Sequence, residues 1–430
     1  MTQALRPPSF MERYQLCRVD NKYYPNFNVT VKYASSINPT VLAHAVHNII
    51  VKNPLLACNY FRTTDDEDHN DYRNYSVRPV DIKFDDLISV QSVPEETYIN
   101  DQFFAELNKI HFELNKAKPL WKVILNGPYV TIVCSHIYFD GNSGCFFHKD
   151  LLGELKELES IEDSLVPLDF IVKAVEITAV PAPVDSTSSL YSLPIWQTVK
   201  NVFKLAVAPS WFKPQTKFPL FKTAPIVVDQ ITHFKVIHID PTTLKSILTH
   251  VKSLNTTLTP WLIAITFNSF SKVHPNNSFD ATIPLNGRRY SPADKYQVVV
   301  AECTVTLDPP FEIESTSSTI STQLTDELES RDPFNRVALL KLVNVGNYAG
   351  QRIGTHSRHT MEISNVGKLP VPQCWFSQGC GFSAHLQMNV ASGEDGMDIV
   401  FAYVDEVEKD FDEFMINFHK EIENAKHTAT

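Results

Sequence analysis

The sequence predicts a two-domain α/β protein, and three observations support this prediction. The chain has 430 residues, which is too long for one ordinary domain and suits two of about 200 residues each. Apolar and β-branched runs typical of strands recur between segments whose apolar residues follow a helical period. A Pro- and Ser-rich stretch, from about residue 176 to 225, separates the two halves.

The composition is that of a globular protein with an acidic surface. Hydrophobic residues make up 43% of the chain and charged residues 20%, which excludes a disordered or fibrous class. The net charge of −11 argues against nucleic acid as the main partner, because phosphate binding needs clustered Lys and Arg. An anionic co-substrate is still compatible, since it needs only a local basic or helix-N-terminal pocket.

Cysteine usage and targeting signals favour the cytoplasm. The seven cysteines are an odd, scattered set without CxxC spacing, so neither a disulfide framework nor a structural zinc site is indicated. The first residues lack an apolar core of signal-peptide length, and no run of about 18 apolar residues occurs. We therefore expect a cytoplasmic protein without a metal cofactor.

The first half reads as helices on a mixed sheet. Residues 26–34 alternate as a strand, and a helix is predicted from Asn38-Pro39, a cap followed by an N1 proline, to Asn53-Pro54. A second helix is predicted over 98–112. A turn at Asn126-Gly127 then leads into the apolar strand that ends at Cys134.

The second half repeats this order of elements. A strand over 233–239 precedes a helix over 241–254, and Thr259 and Pro260 start another helix. A strand is predicted over 280–285, and a hairpin over 382–405. Phe411, Phe414, Met415 and Phe418 form the apolar face of a last helix, which suits docking on its own domain better than a lipid surface.

His136 is the candidate catalytic residue, because it lies where the central strand ends. The β-branched run to Cys134 is followed by turn chemistry at Asp140-Gly141, and Ser143 is positioned to cap the next helix. A strand end holds a side chain rigidly and exposes it to substrate. Two alternatives remain open at this point: a hydrogen-bonded structural histidine, and a metal site formed with Asp140 and His148.

The run His-x-x-x-Asp-Gly (residues 136–141) resembles the HxxxDG signature of the CoA-dependent acyltransferase superfamily. The sequence is most similar to the fungal alcohol acetyltransferases and their sphingoid-base N-acetyltransferase relatives. The resemblance implies an α/β (α+β) fold of two chloramphenicol-acetyltransferase-like subdomains, each a mixed sheet with helices, with the active site at their interface. We expect subdomains over 1–175 and 226–430, joined by a crossover linker over 176–225.

Two further segments carry the resemblance. The stretch PLNGRRY resembles the superfamily's arginine segment, which implies that Arg288 or Arg289 pairs with Asp140. Without that resemblance, both arginines would be read as solvated loop charges. Ser364, Asn365 and Gly367 match the SNxG segment that lines the acyl-donor channel. The plant branch's DFGWG motif is missing, and residues 374–379 occupy its place, which favours the fungal branch.

The resemblance implies an acyltransferase with His136 as general base and with Asp140 and Gly141 as structural parts of the motif. Acetyl-CoA is the expected co-substrate, no cofactor is bound, and the acceptor is a lipophilic alcohol or amine. We favour the alcohol, because an ammonium needs a carboxylate and the HIYFDG stretch offers only Asp140. A catalytically inactive binding protein on the same fold is the remaining alternative.

The aromatic linker is expected to lie against the domains, and a membrane-touching loop is the alternative. Its aromatic residues, which are too many for a disordered tether, are Trp196, Phe203, Trp211, Phe212, Phe218 and Phe221. We expect a monomer, with peripheral contact to the endoplasmic reticulum or lipid droplets as an open possibility.

Overall fold

Two mixed β-sheets form the framework of the protein in a computed structural model that describes residues 4–63, 71–203, 216–228, 230–291 and 295–428. The strands are β1 Phe27–Lys32, β2 Cys58–Arg62, β3 Tyr75–Pro79, β4 Ile82–Lys83, β5 Ile88–Val90, β6 Trp121–Asn126, β7 Tyr129–Cys134, β8 Phe170–Val172, β9 Thr232–Ile239, β10 Phe279–Asn286, β11 Val300–Leu307, β12 His359–Lys368, β13 Gln373–Gln378, β14 Ala384–Ser392 and β15 Met397–Val404. The α-helices are α1 Phe10–Asp20, α2 Pro39–Lys52, α3 Phe84–Leu87, α4 Glu95–Tyr98, α5 Asp101–Asn108, α6 Gly141–Leu158, α7 Val184–Thr187, α8 Ile195–Val202, α9 Pro241–Ser253, α10 Leu258–Val273, α11 Ile313–Ser330, α12 Asp332–Ala338, α13 Val345–Gly350 and α14 Glu408–Thr428.

The N-terminal sheet has the strand order β13-β1-β7-β6-β5. Its central strands β1 and β7 pair antiparallel, and every residue of β7 is buried. Helices α2 and α6 pack on this sheet, so that Ile49 and Phe147 share one hydrophobic core with Val29 of β1. The apolar run of β7 thus lies in a sheet that helices cover, as predicted for the first half of the chain.

The C-terminal sheet has the order β11-β10-β12-β14-β15-β9, with β12 parallel to both β10 and β14. The last helix, α14, docks on this half: Phe414 lies 4.8 Å from Phe270 of α10, measured between ring centroids, and Phe418 is fully buried. The apolar stripe of α14 therefore covers its own domain, as its sequence pattern predicts.

One strand connects the two halves directly. β13 follows β12 of the C-terminal sheet in sequence, yet it pairs antiparallel with β1 of the N-terminal sheet from Phe27–Gln378 to Lys32–Gln373. Nothing in the sequence pattern of β13 predicts this exchange, because pairing partners depend on the register between distant segments. The exchange fixes the two sheets next to each other and confirms a mixed α/β architecture.

Helix α5 is shorter than the predicted helix over 98–112. It starts at Asp101, because the side chain of Asn100 accepts a hydrogen bond from the amide of Phe103 at 2.8 Å and caps it. The separate short helix α4 ends at Tyr98. The Asn100 cap therefore begins the helix at Asp101, although the apolar residues follow a helical period from residue 98.

The linker is only partly packed. Phe221 is buried, as predicted, but Trp196 and Ile195 of α8 are 81% and 85% exposed, so the prediction for Trp196 is wrong. Helix α8 is held on its polar side, where Gln197 donates a hydrogen bond to Asp332. Trp211 and Phe212 lie outside the described residues.

Among the helices of the described residues, we find none with both the length and the apolar character that a bilayer span requires.

The packing of α6 on β1 predicts opposite effects for two glycines of the same helix. A methyl group at Gly144 would lie 2.6 Å from Cγ2 of Val29, whereas Gly153 faces open space. Gly144→Ala should lower the free energy of unfolding by roughly 1–3 kcal/mol through overpacking. Gly153→Ala, the matched control, should raise it by up to about 1 kcal/mol through helix propensity. Urea unfolding measures both; equal effects would contradict this packing.

Candidate active site

The segment between β7 and α6 holds His136 rigidly. β7 ends at Cys134, and the amide of Ser135 donates to the carbonyl of Leu120 at 3.0 Å. The three residues after His136 are all buried in the core: Ile137, Tyr138 and Phe139. Since these side chains anchor the loop, the imidazole has a fixed position at the strand end.

Asp140 is the N-cap of α6. Its carboxylate accepts a hydrogen bond from the amide of Ser143 at 2.9 Å, and the Ser143 hydroxyl accepts one from the Asp140 amide at 3.2 Å. The prediction that Ser143 caps the helix is therefore wrong in detail: Ser143 is the third helical residue and completes a reciprocal capping box. The Asp-x-x-Ser spacing is the signal for this arrangement.

The same carboxylate reaches across to the C-terminal half. Arg288, in the turn after β10, donates from Nη1 to Asp140 Oδ2 at 2.7 Å, and the amide of Val299 donates to the same oxygen at 3.1 Å. Burial opposes ionisation of Asp140, but Arg288 outweighs it and the pKa of the carboxyl is lowered. Arg289 is exposed and lies over the ring of Tyr290 instead.

His136 is surrounded by aromatic rings. The Phe27 ring lies 5.3 Å away and the Tyr24 ring 5.9 Å away, measured between centroids. Burial, supported by the charge of Arg18, lowers the pKa of His136 to about 4, and the nearby Asp140 carboxylate acts in the opposite direction. The imidazole is therefore neutral, and able to accept a proton, at every pH well above 4.

The two ring nitrogens of His136 differ in exposure. Nδ1 is buried and has no hydrogen-bond partner among the residues that the structure describes. The side chain as a whole is only half-buried, so some of its other atoms are exposed to solvent while Nδ1 is not. Nε2 is thus the nitrogen for a proton exchange with a ligand.

Strand β12 brings a second set of polar groups to the motif. A methyl group at Gly141 would lie only 3.0 Å from Cγ1 of Val366, so the glycine allows β12 to approach the motif closely. Before the irregularity that begins at Asn365, side chains alternate along β12, so Ser364 and Glu362 lie on one face of the strand. Both residues are nearly buried, with 9% of their surface exposed.

Asn365 and Gly367 form a bulge in β12. The Asn365 side chain accepts a hydrogen bond from the Gly367 amide at 2.9 Å, and Gly367 has φ of +81°. The register with β14 shifts between Asn365 and Lys368. The strand thus continues through the SNxG segment to Lys368.

The alternative metal site is not assembled. His148 is fully buried, and its two nitrogens contact the Tyr33 hydroxyl at 2.9 Å and the Val29 carbonyl at 3.1 Å, away from any carboxylate. Within the described ranges, the group with metal-like spacing is a mostly exposed one, formed by His233, Asp405 and Glu408. His136, Asp140 and His148 do not form such a group.

Sequence reasoning missed four residues of the candidate site. They are Arg18, Tyr24, Glu362 and Gln378. Arg18 lies 4.3 Å from the Tyr24 ring centroid, and the Tyr24 hydroxyl donates to Gln378 Oε1 at 2.7 Å. Only Glu362 had a signal in the sequence, because its carboxylate lies between the apolar residues Met361 and Ile363.

The pair formed by Asp140 and Arg288 predicts unequal effects for adjacent arginines. Arg288→Ala leaves the buried Asp140 carboxylate without its counter-charge and should lower the free energy of unfolding by roughly 3–5 kcal/mol. Arg289→Ala, the control, should change it by less than about 0.5 kcal/mol. Thermal and urea unfolding of both variants measure this; an Arg288→Ala protein as stable as the control would contradict the role of the pair.

Solved structures with the same fold are catalytic domains of several kinds. The chain is similar to the TRI3 trichothecene 15-O-acetyltransferase from Fusarium sporotrichioides, with a TM-score of 0.70, 13% identity, and 98% of this chain and 94% of that chain covered. It is also similar to the first condensation domain of the calcium-dependent antibiotic synthetase, with a TM-score of 0.67, 11% identity, and coverage of 100% and 98%. These likenesses confirm the two-subdomain, chloramphenicol-acetyltransferase-like fold.

Sequence comparison identifies the family. The N-acetyltransferase SLI1 of Saccharomyces cerevisiae is 23% identical over 414 residues, which cover 84% of each chain. The family model described as alcohol acetyltransferase matches residues 9–422, nearly the whole chain. The protein belongs to the alcohol acetyltransferase family.

Proposed function

We propose that the protein transfers the acetyl group of acetyl-CoA to an apolar alcohol, with His136 as general base. The observation that carries the proposal is a neutral, rigidly held imidazole at the strand end, beside the buried pair of Asp140 and Arg288. Family membership supports an acetyltransferase and the use of acetyl-CoA. The relative TRI3 is named for O-acetyl transfer, which supports the alcohol.

In the proposed reaction, His136 removes the hydroxyl proton as the acceptor oxygen attacks the thioester carbonyl. The C–O bond forms, the C–S bond breaks, and the imidazolium returns the proton to the departing thiolate of CoA. No covalent enzyme intermediate is needed. Asp140 does not act on the proton, because its carboxylate is already occupied by Ser143, Arg288 and Val299.

The acyl donor is proposed to approach along β12, where Ser364, Asn365 and Gly367 match the SNxG segment. Gly367, in a left-handed conformation, lets the bulge form, and Asn365 is exposed beside it. We further propose subdomains over 1–175 and 226–430 with a linker over 176–225, working as a cytoplasmic monomer. Seven buried free cysteines support a reducing compartment.

A lipophilic amine is the second candidate acceptor, and one observation favours it. The preference for an alcohol rested on the lack of a carboxylate near His136 along the chain, and Glu362 is a buried carboxylate joined through Gln378 to Tyr24, whose ring lies beside His136. The relative SLI1 is named an N-acetyltransferase. A catalytically inactive binding protein, the third alternative, has no feature of the described site in its favour.

The proposal predicts acetyl-CoA-dependent turnover that requires His136. The purified protein with acetyl-CoA and a medium-chain alcohol should release free CoA thiol and form the acetate ester. His136→Ala should keep its fold and lower kcat by about 100-fold or more, because the base is lost. His44→Ala, on the distant helix α2, is the control. Near-normal turnover by folded His136→Ala would remove the residue from the base role, and thiol release without ester would refute acetyl transfer to the alcohol.

The lowered pKa of His136 predicts an unusual pH profile. The neutral imidazole is the active form, and its pKa is about 4 rather than about 6.5. With an alcohol acceptor, whose charge does not change, kcat/KM should therefore stay level through mildly acidic pH and fall only as the pH approaches about 4. Circular dichroism at each pH checks that the protein remains folded. A fall in kcat/KM near the ordinary pKa of histidine, in a protein that is still folded, would contradict the proposed lowering of the His136 pKa by burial.

A further inference from the structure

Glu362 is a buried carboxylate to which the structure gives only neutral partners. Gln378 Nε2 donates to its Oε1 at 3.0 Å, Ser364 Oγ lies 3.4 Å from the same oxygen, and the Ser383 hydroxyl donates to Oε2. Among the described residues, no Lys, Arg or His forms an ion pair with it. Carboxylates with 9% exposure are rare in proteins unless a cation pairs with them.

The electrostatic state of this carboxylate suits a cationic ligand. Burial raises the pKa of Glu362, and the charge of Glu302 adds to this, while Ser383 and the more distant Arg18 and His359 lower it. A buried anion without a counter-ion is costly. A ligand cation placed beside Glu362 would remove this cost, so the site gains most from a positively charged group.

A short series of contacts connects Glu362 to the motif. Gln378 bridges it to Tyr24, since the amide nitrogen donates to Glu362 and the amide oxygen accepts from the Tyr24 hydroxyl. The Tyr24 ring in turn lies 5.9 Å from the His136 ring. Gln378 and Tyr24 therefore connect the Glu362 carboxylate to the ring of His136.

The rings beside His136 are apolar. Phe27 and Phe376 are buried, with ring centroids 6.1 Å apart, and Phe27 contacts His136. An acceptor that fits this environment has one charged end and an apolar body. A primary alkylamine, which is protonated at neutral pH, has this form.

We propose that Glu362 binds the ammonium group of a lipophilic primary amine and thereby lets the centre around His136 acetylate amines as well as alcohols. This inference rests on the proposed acetyl transfer. The ammonium first loses one proton to solvent through Glu362. The amine nitrogen then attacks the thioester carbonyl, the C–N bond forms as the C–S bond breaks, and His136 moves the second proton to the CoA thiolate. The products are the acetamide, CoA thiol and one released proton.

The test compares a primary alkylamine with the alcohol of equal chain length, using acetyl-CoA and following amide and ester separately. Glu362→Gln keeps the size and hydrogen-bonding capacity of the side chain but removes its charge. The ratio of kcat/KM for the amine to kcat/KM for the alcohol should fall by about 100-fold, the range expected for loss of a charged hydrogen bond. Glu329→Gln, which changes an exposed carboxylate on α11 of the same half, should leave this ratio unchanged.

The ratio of kcat/KM for the amine to kcat/KM for the alcohol distinguishes a failure of the Glu362 proposal from a failure of the proposed acetyl transfer. If the wild-type protein acetylates the alcohol but not the amine, or if Glu362→Gln leaves the ratio unchanged, the role of Glu362 is refuted and the proposed acetyl transfer stands. If neither acceptor is acetylated, the proposed function itself is refuted. A merely structural Glu362 would alter stability and both acceptors together, without changing their ratio.

A second measurement does not depend on the folding of a variant. An alkyltrimethylammonium ion carries the positive charge but has no N–H to lose, so it cannot be acetylated. It should inhibit alcohol acetylation by the wild-type protein about 10-fold more strongly than a neutral compound of the same shape. Equal inhibition by the two compounds would overturn the assignment of Glu362.

Discussion

The candidate active site depends on the buried carboxylate of Asp140. This one group caps α6, accepts a hydrogen bond from the Val299 backbone and pairs with Arg288. Its partners come from both halves of the chain, so the same ion pair that fixes the start of α6 also fixes the distance between the two halves. A buried ion pair of this kind adds little net stability, but removing one partner alone strongly lowers the free energy of unfolding.

The second constraint is the exchange of β13 between the sheets. β13 leaves the C-terminal half, pairs with β1, and places Gln378 where it touches groups from both sides. The amide of Gln378 can both donate and accept, which suits a position between the Tyr24 hydroxyl and the Glu362 carboxylate. The centre is thus built from strand ends and strand faces of two sheets, which are more rigid supports than loops.

These constraints bear on the proposed role of His136 as a base. Among the described residues, no carboxylate forms a hydrogen bond with the imidazole as in a hydrolase triad, and Asp140 pairs with Arg288 instead. Burial among aromatic rings, together with the positive charge of Arg18, keeps His136 neutral. A base with a lowered pKa is weak, so the proposed mechanism depends on holding the acyl donor and the acceptor close to it.

Local chemistry in the sequence determined much of the structure. Residue patterns predicted the α/β class, strands β1, β7, β9 and β10, the turn at Asn126-Gly127, the docking face of α14 and the strand-end position of His136. The motif resemblance directed attention to Asp140 and the two arginines. Each of these features depends on residues within a few positions of one another, or on a periodicity that is readable in one segment.

Only the tertiary structure decided which distant groups meet. It paired Asp140 with Arg288 rather than Arg289, placed β13 in the other sheet, left Trp196 exposed and connected Glu362 to Tyr24 through Gln378. The preference for an alcohol considered the carboxylates near His136 along the chain, and Glu362 is distant from His136 in sequence. Contacts between segments more than 200 residues apart depend on the packing of whole sheets, and no local propensity or spacing encodes that register.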